Sequence, residues 1–147
     1  MQYSEANMGR IFIVRLEHGD RLPDTIEEFA VQRNLKSALV LYLGGAERGS
    51  KVVVGPQDGD DPKPVPVVTT LAGVSEAEGV GTIFTDEAGR PKLHLHAAFG
   101  RQANSITGCT REGVTVWQIG EVIIIELVDH TAGRKIDLRT GFELLEV

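Results

Sequence analysis

A chain of 147 residues and 15.9 kDa supports one hydrophobic core and rarely two, so a single domain is the starting expectation. Hydrophobic residues at 41% and charged residues at 24% exclude collagen-like, coiled-coil and disordered classes. A formal net charge of −6 argues against simple nucleic-acid binding, because an acidic surface repels phosphates unless its basic residues gather on one face.

Seventeen glycines with only 5% aromatics suit tight turns between short strands. No apolar run approaches the ~20 residues needed to cross a bilayer; the longest, 38–43, is closed by Ser37 and by Gly44-Gly45. No membrane span or membrane partner is expected. Met1 to Glu5 lack the basic start, apolar centre and cleavage site of a secretory signal. One cysteine allows no intrachain disulfide, which makes a reducing, cytoplasmic compartment the expectation.

In chain order, residues 1–7 read as a polar extension and 8–147 as the domain. The run Arg10-Ile11-Phe12-Ile13-Val14-Arg15-Leu16 is β-branched and aromatic, and predicts a buried first strand. His18-Gly19-Asp20 turns the chain, and Asp20 can cap a helix whose first turn accepts Pro23. Leu22, Ile26, Phe29 and Ala30 then recur at helical spacing. Strands are predicted at 37–43, ended by Gly44-Gly45, and at 51–54, ended by Gly55-Pro56. Residues 57–66, with three aspartates and three prolines, suit an exposed loop. Further strands fall at 67–71, 81–85, 93–99, 105–109, 114–117 and 121–128, with a last apolar piece at 142–147. The simplest packing is α+β, with one principal helix on a mainly antiparallel sheet.

Chemistry concentrates in Lys92-Leu93-His94-Leu95-His96-Ala97. Strict alternation on a strand puts His94 and His96 on one face and the leucines on the other. Two imidazoles so placed can share a metal ion. The next strand carries Cys109, and a register that pairs it with His94 or His96 adds a thiolate to the same face; the intervening register sends it to the leucine side. Two nitrogens and one sulfur suit zinc and leave a fourth position open. The alternative is a pair of hydrogen-bonded histidines and a small buried cysteine.

Other patterns weigh less. Gly79-Val80-Gly81 lacks the third glycine of a dinucleotide loop and sits beside a strand, so no nucleotide cofactor is expected. Gly89-Arg90-Pro91 matches the core of an AT-hook, but the acidic Asp86-Glu87 before it favours a hairpin turn. Glu121 beside an apolar strand is a candidate general base or metal ligand, or a structural partner of Arg111 or Arg134. His18 and His130 fall in turn-like segments and read as solvated.

Taken together, the 10–16 strand followed by Gly19-Asp20, then Leu93-His94-Leu95-His96-Ala97, Thr107-Gly108-Cys109 and Gly120-Glu121-Val122 resemble the "plants and prokaryotes conserved" (PPC) domain. The resemblance extends over about 8–147. It implies an α+β fold, a homotrimer, and a metal-site candidate in the His-rich strand. Plant members bind DNA through AT-hooks outside the domain, whereas many prokaryotic members are free-standing and carry a provisional DNA-binding description; this chain is expected to be of the free-standing type. Where many relatives read Gly-Gly-His-Leu, this sequence reads Thr107-Gly108-Cys109-Thr110, so Cys109 stands where a histidine ligand can stand. Two functions follow: a DNA-associated, trimeric binding or scaffold domain with little DNA affinity of its own, or a zinc-dependent enzyme acting on a small molecule, with Glu121 or a nearby carboxylate handling the proton.

Overall fold

The computed structural model describes residues 1–147. Its elements run β1 (Asn7–Glu17), α1 (Leu22–Gln32), β2 (Ala38–Ala46), β3 (Lys51–Pro56), β4 (Pro66–Thr70), β5 (Ser75–Thr85), β6 (Pro91–Arg101), β7 (Asn104–Cys109), β8 (Val116–Val128), β9 (Gly133–Ile136) and β10 (Glu143–Glu146), with a single 3₁₀ turn at Thr110–Glu112 after β7. Eight strands form one antiparallel sheet in the order β1-β8-β2-β5-β6-β7-β3-β4, and β9 and β10 make a separate hairpin. The α+β expectation is met.

Alternation decides what each face does. On the inner face, Val40, Tyr42, Ile83, Leu93, Leu95, Ala97, Val122 and Ile124 join Leu22, Ile26 and Ala30 of α1 in one core cluster. Phe29 of α1 packs edge-on against Phe12 of β1, with ring centroids 5.3 Å apart. The outer face is read from the register: Ile13, Ile123, Leu41, Val80, His96 and Cys109 form one continuous row across β1, β8, β2, β5, β6 and β7. A parallel row runs Ile11, Ile125, Leu39, Thr82, His94.

Several sequence expectations are corrected. The first strand is not buried: β1 lies at the sheet edge, paired only with β8, and Ile11 and Ile13 are exposed because nothing covers the outer face there. The helix cap is Arg21, without a side-chain cap bond, and Pro23 does stand in the first turn. Asp20 instead accepts from the Glu17 backbone N–H at 2.8 Å and holds the turn before the helix. Gly44-Gly45 do not end β2; they continue it past a bulge opposite β8. A Cβ on Gly45 would lie 2.9 Å from Trp117 Cε3, so the bulge needs a residue without one. The two pieces predicted at 114–117 and 121–128 are largely one strand, β8, kinked around Gln118, whose φ is +66°. The β9 strand had no sequence signal. Residues 57–65 form the expected exposed loop, and Gly89 lies in the β5–β6 turn, where Asp86 accepts from Ala88 N–H, Arg90 N–H and Arg90 Nε at 2.9 Å each.

Candidate metal centre

Residues on two neighbouring strands build the cluster. Because β6 alternates, Leu93, Leu95 and Ala97 are buried in the core while His94 and His96 point out of the sheet. The β6–β7 hairpin turns through Gln102, at φ +55°, and sets the register that pairs His96 with Cys109 and Ala97 with Gly108. Of the two alternatives open in the sequence, this is the one that puts sulfur with the imidazoles. Thr110 Oγ1 donates to the Leu95 carbonyl at 3.2 Å and ties the end of β7 to β6.

His94 Nε2 and His96 Nε2 are 3.1 Å apart, with the rings at 75°. The donor atoms of His94, His96 and Cys109 all lie within 4.8 Å of one another. Tetrahedral zinc with Zn–N near 2.05 Å requires nitrogens about 3.3 Å apart and nitrogen and sulfur about 3.6 Å apart. The histidine pair already has that spacing, and a side-chain adjustment of about 1 Å brings in the sulfur. The donor set fits zinc. Burial lowers the His94 pKa, and the positive charges of Arg134, His96 and Arg111 lower it further; the neutral imidazole this favours is the metal-binding form. His94 is nonetheless partly open to solvent, because the same ring that desolvation acts on borders a cavity.

That cavity, about 270 Å³, is lined by Val53, Pro56, Pro64, Pro66 and Phe142 together with His94, His96, Cys109 and Arg111. Its prolines come from the 57–66 segment and the strand ends flanking it. Arg111 stacks over Phe142 at 5.7 Å. Arg134 of β9 crosses the outer face close by, donating from Nη2 to Thr82 Oγ1 at 3.2 Å and lying 5.9 Å from the Phe84 ring. The sequence reading named both arginines only as partners for Glu121 and missed them as neighbours of the cluster. Arg111 had a signal, standing two residues past Cys109; Arg134 lies on the strand with none.

Glu121 is elsewhere. It is exposed, makes no ion pair with Arg111 or Arg134, and shares an outer-face row with Arg15, Leu43 and Glu78. Three strand spacings, about 14 Å, separate β8 from β6. The buried-carboxylate premise therefore fails. Glu121 borders a different cleft, with Gly44, Gly45, Glu76 and Trp117. His18 is exposed as expected, but His130 is half-buried, edge-on to Phe84 at 5.7 Å.

One helix on an antiparallel sheet whose outer face bears three clustered donors defines a small α+β domain with a candidate metal site. Residues 3–128 match the model of the Plants and Prokaryotes Conserved (PCC) domain, and the chain belongs to that family. Among solved structures it is similar to a plant- and prokaryote-conserved protein of Pyrococcus horikoshii, at 21% identity and a TM-score of 0.85 over 100% of this chain and 98% of that one. It is also similar to a metal-containing protein of Archaeoglobus fulgidus, at 23% identity and a TM-score of 0.82 over 100% of both chains. A third similar structure, a protein of Ralstonia eutropha JMP134 provisionally described as DNA-binding, has 21% identity and a TM-score of 0.69, covering 92% of this chain and 90% of that one. No curated protein matches the chain.

Proposed function

We propose that this chain is a zinc-binding PCC domain that acts as a homotrimeric binding or scaffold protein, with His94, His96 and Cys109 holding the metal. The observation that carries the reading is the convergence of three donor atoms within 4.8 Å on two hydrogen-bonded strands. His94 and His96 supply neutral nitrogens, Cys109 supplies a thiolate, and the sheet fixes all three on one face. Bound zinc supplies Lewis acidity at its open position. The metal in the Archaeoglobus fulgidus relative supports the assignment. DNA association is suggested by the Ralstonia relative, but a net charge of −6 leaves this domain only weak, salt-sensitive affinity of its own.

Metal content measured in the parent and in His96→Ala and Cys109→Ser tests the site. One zinc per chain is expected in the parent, with at least a tenfold weaker hold in either variant and the fold retained, because none of the three donors belongs to the core cluster. No zinc after metal-replete purification, or unchanged zinc in both variants, leaves two hydrogen-bonded histidines as the better account.

The second reading, a zinc-dependent enzyme, draws on the cavity against the cluster. Glu121 is too distant to hand a proton there, so this reading has no assigned base.

A further inference from the structure

Two guanidinium groups without carboxylate partners stand beside the donor cluster. Arg134 is buried to 6% exposure, its Nε is buried with no hydrogen-bond partner, and neither it nor Arg111 makes an ion pair. A buried cation left unpaired is costly, and proteins rarely keep one without an anion to meet it. The acidic groups that act on Arg134 do so through space: Glu143 from the exposed β10, and Glu27 from α1. Glu27 is already engaged by Lys92 Nζ at 3.5 Å and by the Leu93 N–H at 2.9 Å. The thiol of Cys109 is the remaining neighbour.

Thr82, to which Arg134 donates, is the register partner of His94, so the guanidinium lies alongside the first imidazole. Arg111 borders the cavity directly. Apart from Arg111, Gly55 and the donor cluster, the lining is Val53, three prolines and Phe142, none of which has a donor or acceptor side chain. A guanidinium in the wall of a small, largely apolar cavity, with a second near the same imidazole, selects a ligand with an anionic head and an apolar body.

We propose that this cavity binds a small apolar molecule carrying a carboxylate or phosphate head, with the head held by Arg111 beside the donor cluster and favoured by the nearby charge of Arg134. The part played by an open metal position rests on the zinc reading above; the arginine pocket does not. Guanidinium groups recognise both oxyanions through paired N–H donors, and the volume of about 270 Å³ matches a body of one ring rather than a polymer.

The test is calorimetric titration of the full chain, zinc-loaded and metal-free, with benzoate and with phenyl phosphate, and with benzamide as the neutral match in shape. At least one oxyanion should bind, benzamide should bind at least tenfold more weakly, and Arg111→Gln should weaken the oxyanion about tenfold with zinc content and melting temperature unchanged. Arg111 is exposed, so this variant decides even if Arg134→Gln fails to fold. Whichever of benzoate and phenyl phosphate binds more tightly identifies the head. Absence of oxyanion binding in both metal states, or equal binding of benzamide, or indifference to Arg111→Gln, overturns the proposal while zinc stoichiometry stands or falls separately. If the protein takes up no zinc, arginine-dependent binding to the metal-free form supports the pocket and confines the failure to the metal assignment.

Discussion

Glu126 illustrates how one side chain closes an irregular sheet edge. The β1–β8 register slips between Met8 and Ile11, and the carboxylate fills that gap, taking the Arg10 backbone N–H at 3.0 Å and both Nε and Nη2 of Arg10 at 2.7 Å. A Cβ on Gly9 would sit 2.7 Å from Glu126 Oε2, so the glycine leaves room for the pair. These bonds from Arg10 pull the Glu126 pKa down from its usual 4.5 to about 2. A carboxyl whose folded pKa is depressed contributes stability that is fully present above its unfolded pKa and is lost as pH falls through the folded one. The contribution should therefore be complete at neutral pH, decline from about pH 4.5, and vanish near pH 2. Glu126→Gln should lower the urea midpoint at pH 7 and converge with the parent in acid. Urea titrations at pH 7, 4 and 2.5 check this, and a constant difference across all three would assign the stability to shape rather than to charge.

Among the elements, β7 has the most demanding position, because it must lie between β6 and β3 while presenting Cys109 to the histidines. Gly108 makes this approach achievable: a Cβ there would meet Val52 Cγ1 at 2.7 Å and collide with the Val53 carbonyl oxygen. Gly108→Ala should push β3 away from β7, destabilise the fold by about 1–3 kcal/mol as other overpacking changes do, and weaken metal binding by moving Cys109. Chemical denaturation together with metal titration checks it, and retained metal affinity alongside lost stability would show that the cluster tolerates the shift. The sequence disclosed the parts of this arrangement that follow from period. Alternation in 92–97 is local, so the shared face of His94 and His96 was legible, as was the helix from the spacing of Leu22, Ile26 and Ala30. The register of Cys109 was not legible, since it depends on the left-handed turn at Gln102, a residue type with no strong preference for it. Arg134 lay beyond reach for another reason: β9 is four residues long, too short to show a period, and its partner β10 comes only after a turn. The same limit explains why Glu121 misled. An acidic residue inside an apolar run looks buried unless one knows that the outer face of that strand is open.

At the scale of the whole molecule, that open face is the feature a single chain leaves unresolved. Ile11, Ile13, Leu41, Leu43 and Val80 are all exposed, and the register places them on adjacent outer-face rows across β1, β8, β2 and β5. The only α-helix packs on the opposite face, and the β9–β10 hairpin reaches this side away from those residues, near Thr82 and Phe84 and, through Phe142, beside the donor cluster. Contiguous apolar surface of this kind marks an interface in soluble proteins, and closed symmetry is the usual way identical chains satisfy one another. The proposed homotrimer covers it. Light scattering at micromolar concentration should return three times the 15.9 kDa chain mass. Ile13→Glu should shift the protein toward monomer, since Ile13 is 87% exposed in the isolated chain and a buried unpaired carboxylate at an interface opposes association strongly. Ile13 contributes nothing to the core cluster, so the variant should keep its far-UV circular dichroism. A parent that scatters as a monomer would remove the trimer. A variant that stays trimeric would instead move the contact away from the β1 end of the face.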